Sequence, residues 1–150
     1  LPILDYGRMH NKFLYRIYNN LFITFTRPIE QGILSGASWV ILGAAVTIFI
    51  FNENTAIIGL LVLSIADSAA AIVGIKFGQT QLYSKSLEGS AAFFITATII
   101  VFLLSSAAAY VNFIAVIAAT VVELFSTPRI NDNLLIPMVL ALILTIGGVG

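Results

Sequence analysis

Cysteine is absent from this chain and charged residues are scarce. Without a single Cys among the 150 residues, structural disulfides, thiolate nucleophiles and Cys-ligated metals are excluded. Asp, Glu, Lys and Arg make up 9% of the chain, whereas soluble domains have roughly 25%. The seven basic residues balance the seven acidic ones, so no bulk attraction to nucleic acid is indicated. Since 59% of the residues are apolar, the composition predicts an integral membrane protein.

Long apolar stretches predict an all-α fold, a polytopic membrane bundle of about five transmembrane helices. A bilayer core of about 30 Å needs roughly 20 helical residues. The stretches run approximately from Ser35 to Phe51, Thr55 to Ile75, Gly89 to Ser106, Ala107 to Phe125 and Leu134 to Gly150. We therefore expect a single membrane domain over residues 1–150, with a cytoplasmic or interfacial segment at 1–34 and a five-helix bundle at 35–150.

The basic residues predict the orientation of these spans. If the spans alternate in direction, every Lys and Arg falls on one side, which the positive-inside rule assigns to the cytoplasm. These residues are Arg8, Lys12, Arg16, Arg27, Lys76, Lys85 and Arg129. The stretch from Tyr6 to Arg27 mixes apolar and basic residues, as in a helix that lies in the membrane interface. We interpret His10, within it, as an ordinary surface histidine.

One carboxylate, Asp67, lies near the middle of the second apolar stretch. A charge at that depth costs several kcal/mol, so it is retained mainly where it faces a polar cavity. Helical spacing predicts that a narrow stripe of mostly small residues lets another backbone or a flat ligand approach Asp67. The stripe consists of Ser64, Asp67, Ala71, Gly74 and Gly78. Gly74 and Gly78 also fit the small-xxx-small pattern that packs membrane helices.

The polar loop that follows predicts a binding site for phosphate. It offers the side chains of Lys76, Thr80, Ser84, Lys85 and Ser86, followed by Glu88-Gly89 at the start of the third span. Backbone amides at a helix start, together with Lys85, are suited to phosphate oxygens. Combined with Asp67, this loop predicts a nucleotide and magnesium site in which carboxylates hold the cation and Lys neutralises phosphate.

Two further acidic positions approach the same side of the membrane. Glu123 lies near the cytoplasmic end of the fourth span, and Asp132-Asn133 precede the fifth. Glu123 is also compatible with snorkelling toward water, and Asp132 with capping the fifth span. Their convergence on one side favours a shared site.

Four elements in this order resemble the CTP-dependent lipid kinases, a family that includes dolichol kinase, phytol kinase and a CTP-using diacylglycerol kinase. They are Asp67-x-x-Ala70-x-x-x-Gly74-x-x-x-Gly78, Lys85-Ser86-x-Glu88-Gly89-Ser90, Glu123, and Asp132-Asn133-Leu134-x-Ile136-Pro137. Arg27-Pro-Ile-Glu30, followed by Ser35-Gly36-Ala37, is also similar, and the resemblance covers about Arg27 to Ile136. The family's N-terminal helical region with a basic and His element has no match here, so we expect the chain to lack an N-terminal region.

The resemblance implies magnesium-dependent transfer of the γ-phosphoryl group of CTP to the hydroxyl of a membrane lipid alcohol, with the active site facing the cytoplasm. The alcohol would be a polyprenol such as dolichol, phytol or diacylglycerol. The implied catalytic residues are Asp67, Lys85 and Glu123, of which Asp67 and Glu123 would hold magnesium. The implied nucleotide-binding residues are Gly74, Gly78, Lys85, Ser86, Glu88, Gly89, Asp132 and Asn133.

Two alternatives remain open from the residues. Phosphatidate cytidylyltransferases share the Asp-to-Gly stretch, although their downstream Pro-Gly-His-Gly-Gly element is missing here. A small transporter or structural bundle, in which Asp67 pairs with Lys85 or binds an ion, is the non-enzymatic alternative. A P-loop ATPase is excluded, since the chain has no Gly-x-x-x-x-Gly-Lys-Ser/Thr segment.

Overall fold

The computed structural model describes residues 1–22, 34–82, 85–126 and 131–149 and confirms the all-α class. The chain divides into two compact units, Leu1–Leu42 and Gly43–Gly150. The described helices are α1 (Pro2–His10), α2 (Lys12–Phe22), α3 (Gly36–Ile50), α4 (Glu53–Leu61), α5 (Asp67–Phe77), α6 (Leu87–Leu104), α7 (Ala109–Leu124) and α8 (Asp132–Ile146). A short antiparallel pair, β1 (Gln81–Leu82) and β2 (Lys85–Ser86), precedes α6.

The first unit contains two short helices where the sequence predicted one interfacial helix from Tyr6 to Arg27. Asn11 separates α1 from α2 because its backbone is extended, with φ −139° and ψ 121°. The Asn11 side chain accepts a hydrogen bond from the Phe13 amide at 2.8 Å and so caps the start of α2. His10 is exposed, as predicted. Arg27 lies outside the described residues.

Asp5 joins α1 to the start of α3 within the first unit. Its fully buried carboxylate accepts hydrogen bonds from the Ser35 amide at 2.6 Å and the Ser38 hydroxyl at 2.6 Å, and it pairs with Arg8. Arg8 is therefore buried, and its predicted location on the cytoplasmic side of the membrane stays a prediction. Burial raises the pKa of Asp5, but the hydrogen bonds from Ser38 and Ser35 outweigh burial and hold it below the ordinary value.

The second unit is a helical bundle. A π-helical turn, Val62–Ala66, joins α4 to α5, so that Glu53–Phe77 is one continuous helix. This helix packs on α6 and α8, α6 packs on α7, and α7 packs on α8. The core between them combines large side chains with alanines, which let helix backbones approach closely. Its buried residues include Phe93, Ile136, Leu140, Leu144, Ala66, Ala97, Ala115 and Ala119.

Pro137 and two glycines bring three helices close together at α8. Pro137 lies inside α8 and has no amide hydrogen to donate to the preceding turn. A Cβ added at Gly43 in α3 would meet the backbone of Asn133. One added at Gly59 in α4 would lie 2.7 Å from the Pro137 carbonyl oxygen. Both glycines are thus required by backbone contact rather than by a turn.

Two helices in the described part of the chain are long and apolar enough to cross a membrane, Glu53–Phe77 and Leu87–Leu104. Both coincide with predicted spans. The other three predicted spans correspond to shorter apolar helices, α3, α7 and α8, of 15, 16 and 15 residues. Helices of that length measure roughly 22 to 24 Å, less than the bilayer core of about 30 Å. The five-helix membrane topology therefore stays a prediction.

Candidate functional site

Lys85 lies among three carboxylates that come from three different helices. Its Nζ is 2.7 Å from Asp132 Oδ2, 3.2 Å from Glu123 Oε1 and 3.8 Å from Asp67 Oδ1. We call these four side chains the Lys85 cluster. Asp67 begins α5, Glu123 lies in the last turn of α7, and Asp132 begins α8. The structure therefore brings together all three predicted catalytic residues and two of the predicted nucleotide-binding residues, Lys85 and Asp132.

The strand pair positions Lys85 between α5 and α6. Lys85 pairs with Leu82, and the Leu87 amide donates to the Thr80 carbonyl at 2.9 Å. The Glu88 carboxylate accepts from the Thr80 amide at 3.1 Å and so fastens the loop to α6. This contact gives Glu88 a structural role, and its predicted contact with nucleotide stays a prediction. Ser84, which the sequence assigned to the phosphate site, lies outside the described residues.

Three glycines let the strand pair and α6 lie directly against α5. A Cβ at Gly74 or at Gly78 would come within 2.9 Å of Ser86 Oγ, and one at Gly89 within 2.9 Å of the Ala70 carbonyl oxygen. Ser86 is buried and caps α6 by accepting from the Gly89 amide at 3.1 Å. Close packing is thus confirmed as one role of Gly74 and Gly78. The predicted nucleotide contacts of these glycines and of Ser86 are not tested by this packing.

Asp67 directly follows the π-helical turn and lies at the edge of the Lys85 cluster. Its side chain is 33% exposed, the most of the three acids. Of the predicted stripe beside it, Ser64 and Ala71 are exposed, and the approach of a flat ligand there stays a prediction. The wider π turn displaces Ser64 from α-helical register, and α6 approaches α5 over Ala70 rather than Ala71. π turns occur frequently at functional sites.

Glu123 is the most buried member of the Lys85 cluster. Its side chain is 1% exposed, which shows that the snorkelling alternative was wrong. Each carboxylate oxygen has its own partner: Oε1 faces Lys85, and Oε2 accepts from the Ser90 hydroxyl at 2.7 Å. Two such partners offset the cost of burying a carboxylate away from water.

Asp132 is held by two partners, whereas the cap of α8 is a different residue. The Asn131 side chain accepts from the Asn133 amide at 3.0 Å and caps the helix. The Asp132 Oδ2 atom accepts from Lys85 and from the Ser126 hydroxyl at 3.1 Å. Capping is therefore not the main role of Asp132. The Asn133 amide also donates to Asp132 Oδ1, and the predicted contact of Asn133 with nucleotide stays a prediction.

The Lys85 cluster has a formal charge of −2, three carboxylates against one ammonium. Burial lowers the pKa of Lys85, but Asp132, Glu123 and Asp67 together outweigh burial and raise it above the ordinary value. Carboxylate oxygens are donors that magnesium prefers. Within the described ranges, however, no group of three or more His, Cys, Asp or Glu side chains is placed to hold a metal ion. The Lys85 ammonium lies among the acids instead, and magnesium at Asp67 and Glu123 stays a prediction.

Sequence reasoning missed three polar residues that organise the site. Ser90 and Ser126 each hold one carboxylate of the Lys85 cluster, and Asn131 caps α8. Ser90 stands inside a motif of the family resemblance, but neither its spacing nor its residue type indicates a partner on α7. Asn131 carried a readable signal, since Asn directly before an acidic residue and an apolar run is typical of a helix N-cap.

Three relatives illustrate what this chain is similar to. It is 37% identical to an uncharacterized protein of Rickettsia prowazekii over 152 residues, which cover 95% of this chain and 74% of that protein. It is 34% identical over 97 residues to CTP-dependent diacylglycerol kinase 1 of Saccharomyces cerevisiae, covering 63% of this chain and 33% of the kinase. It is 26% identical to a dolichol kinase of Schizosaccharomyces pombe, covering 92% of this chain and 29% of that protein.

The chain therefore spans about a third of the length of these two kinases. No family model matches it. No solved structure matches it either.

Proposed function

We propose that this chain, which is similar to CTP-dependent diacylglycerol kinase 1 and to a dolichol kinase, is a CTP-dependent lipid kinase that transfers the γ-phosphoryl group of CTP to the hydroxyl of a membrane lipid alcohol. The observation that supports this proposal most directly is the Lys85 cluster, in which one ammonium and three carboxylates converge from separate elements. Phosphoryl transfer needs mainly positioning and neutralisation of charge, and these groups can supply both.

Lys85 is the group that we assign to the triphosphate. It stays protonated at neutral pH because the three acids raise its pKa. In the structure its ammonium contacts the acids, and its flexible side chain can direct the same three N–H groups to phosphate oxygens. The first turn of α6 follows Lys85 in the chain, and the N-terminal end of a helix favours negative charge.

The three acids of the Lys85 cluster differ in exposure, and we assign them different roles. Asp67, at 33% exposure, is placed to accept a hydrogen bond from the incoming hydroxyl and to take its proton. The hydroxyl oxygen then bonds to the γ-phosphorus while the bond from that phosphorus to the bridging oxygen breaks, which releases CDP. Bound magnesium would neutralise charge on the triphosphate, and Asp67 and Glu123 are the residues that we assign to hold it. Asp132 keeps Lys85 directed toward this site.

The membrane arrangement that suits this reaction has five spans, the two long helices together with α3, α7 and α8. The Lys85 cluster lies where α7 ends and α8 begins, so it would be near one face of the membrane. The positive-inside pattern makes that face cytoplasmic. CTP would then arrive from the cytoplasm, and the alcohol would approach within the leaflet.

The position of the label on the lipid tests the reaction. The purified full chain is incubated with magnesium, a panel of polyprenol, phytol and diacylglycerol, and CTP labelled at the γ-phosphate or, in parallel, at the α-phosphate. Lipid labelled only from γ-labelled CTP supports the kinase. Lipid labelled only from α-labelled CTP, with phosphatidate added to the panel, would instead establish cytidylyl transfer.

Asp67→Asn separates catalysis from a structural bundle. If Asp67 serves the nucleotide site, the variant loses transfer and weakens the protection that CTP with magnesium gives against thermal unfolding. The exposed hydroxyl variant Ser68→Ala, one position along α5, is the matched control and should leave both unchanged. Unchanged CTP protection in Asp67→Asn, together with unlabelled lipid from the wild-type chain, would favour the non-enzymatic bundle.

A further inference from the structure

Ser90 donates to a carboxylate on another helix, as Ser38 does to Asp5 in the first unit. Five other hydroxyl residues of the described helices donate to the carbonyl four residues earlier in their own helix, as Ser and Thr commonly do. They are Thr47, Ser64, Ser68, Thr98 and Thr120. Ser90 has the equivalent acceptor, the Ser86 carbonyl, at 3.2 Å, but its shorter contact is to Glu123 Oε2 at 2.7 Å. One hydroxyl proton serves one acceptor well, and the charged acceptor at the shorter distance is the stronger.

This contact crosses from one helix to the next. Ser90 lies in the first turn of α6 and is 4% exposed, while Glu123 lies in the last turn of α7 and its side chain is 1% exposed. Glu has three side-chain torsions, so burial alone does not determine where its two oxygens point. The Ser90 hydroxyl holds Oε2, and this leaves Oε1 directed at Lys85, 3.2 Å away.

We propose that Ser90 is a positioning residue of the site: its hydroxyl fixes the Glu123 carboxylate so that one oxygen faces Lys85 and the substrate side of the cluster. The expected effect of Ser90 on turnover rests on the proposed kinase function, whereas the Ser90–Glu123 hydrogen bond is seen in the structure itself. Ser90 acts through Glu123 and needs no contact with CTP or lipid. Its loss should therefore reduce turnover much more than it reduces CTP binding.

The test compares Ser90→Ala with Ser90→Thr in the full chain. We expect Ser90→Ala to lower kcat roughly 10- to 100-fold, as the loss of a group that orients a site carboxylate commonly does, with KM for CTP changed less than about threefold. Ser90→Thr keeps the hydroxyl and should recover kcat to within about threefold of wild type. Thr98→Val, which removes a hydroxyl from the same helix that only bonds its own backbone, is the matched control and should be unaffected.

Wild-type kcat in a folded Ser90→Ala variant, or equal loss in Ser90→Ala and Ser90→Thr, would overturn the proposal. If Ser90→Ala does not fold, Ser90→Cys replaces it under the same criterion, because Cys is close to Ser in shape but a weaker donor.

A second measurement keeps this inference separate from the kinase proposal. Thermal unfolding of wild type, Ser90→Ala, Glu123→Leu and the double variant forms a double-mutant cycle. Coupling between the two substitutions is expected, since each removes one partner of the same hydrogen bond. Additive effects would overturn the Ser90 inference even if the wild-type chain is an active kinase. Coupling without any labelled lipid from wild type would contradict the kinase alone.

Discussion

Lys85 connects three helices although it belongs to none of them. Its ammonium compensates Asp67, Glu123 and Asp132, which would otherwise place three negative charges in a largely apolar bundle. In the proposed reaction, phosphate oxygens replace carboxylate oxygens around this one cation.

A Lys85→Met substitution tests whether Lys85 itself binds the triphosphate, as opposed to any basic residue on the same side of the membrane. We expect transfer of labelled phosphate to lipid to fall roughly 100-fold or more, because the group that neutralises the triphosphate is removed. Lys76→Met is the matched control, since Lys76 is exposed in the last turn of α5 and should retain activity. Both variants are assayed with γ-labelled CTP. Comparable loss in the two variants would contradict a specific role for Lys85.

The first unit also contains a buried charged residue, Asp5, which pairs with Arg8. Its charge should make the stability of that unit sensitive to acid. Removing one partner of a buried ion pair costs roughly 3 kcal/mol, so Asp5→Asn should destabilise this unit at neutral pH. Because folding lowers the pKa of Asp5 from its ordinary 3.8, the stabilisation is present above that pH and is lost as the pH falls through the lowered value.

Trp39, the only tryptophan in the chain, lies in α3 near Ser38 and reports on this unit by fluorescence. Unfolding midpoints of wild type and Asp5→Asn should differ at pH 7 and converge as the pH falls below about 4. Glu53→Gln, which removes an exposed carboxylate from the second unit, serves as the control. A gap between the two midpoints that is as large at pH 3 as at pH 7 would contradict the assignment.

At the scale of elements, close backbone contacts rather than large side chains determine how α8 packs. Pro137 and Gly59 meet where α4 contacts α8, and the added Cβ of Gly59→Ala would lie 2.7 Å from a carbonyl oxygen that cannot rotate away. Overpacking of this kind costs roughly 1 to 3 kcal/mol, so we expect a lower unfolding temperature. Ser68→Ala, at an exposed position of the same continuous helix, should leave that temperature unchanged.

The unfolding temperature of both variants is measured in detergent by circular dichroism. Gly59→Ala as stable as wild type would show that α4 and α8 are not in backbone contact at this point. Activity adds a second reading, because a shift of α8 would also move Asp132 away from Lys85.

At the scale of the whole molecule, the outer faces of the helices are apolar. Ile95, Ile99 and Leu103 on α6 are exposed, as are Ile114 and Ile117 on α7. Lipid is the solvent that tolerates such surfaces, in agreement with the two helices long enough to cross a membrane. The topology beyond those two helices is open to direct measurement.

The absence of cysteine makes this measurement simple, because any introduced Cys is the only thiol in the chain. Lys76→Cys should react with a membrane-impermeant maleimide from the cytoplasmic side, whereas Asn54→Cys and Ser106→Cys should react from the opposite side. All three positions are exposed in the structure. Labelling of Lys76→Cys and Asn54→Cys from the same side would contradict the five-span arrangement.

The sequence by itself determined the helical class of the protein and indicated the four residues of the Lys85 cluster. Scarce charge and long apolar runs imply a helical membrane protein, since only closed backbone hydrogen bonding is tolerated in lipid. Ionisable residues stand out in an apolar chain because burying a charge is costly. The structure places four of them, Asp67, Lys85, Glu123 and Asp132, in contact with one another.

Only the tertiary structure decided how those residues are arranged. Apolar periodicity does not reveal the π turn before Asp67, and it does not separate α1 from α2 at Asn11. The partners of the acids, Ser90 and Ser126, are hydroxyls whose hydrogen bonds depend on which helices are neighbours. Such contacts join positions 33 residues apart, as in Ser90 with Glu123, and local sequence pattern carries no information over that separation. Helix packing determines that Glu123 is buried and that Lys85 lies among three acids. Which helices are neighbours is not encoded in the periodicity of any one helix, so the sequence pattern did not reveal it.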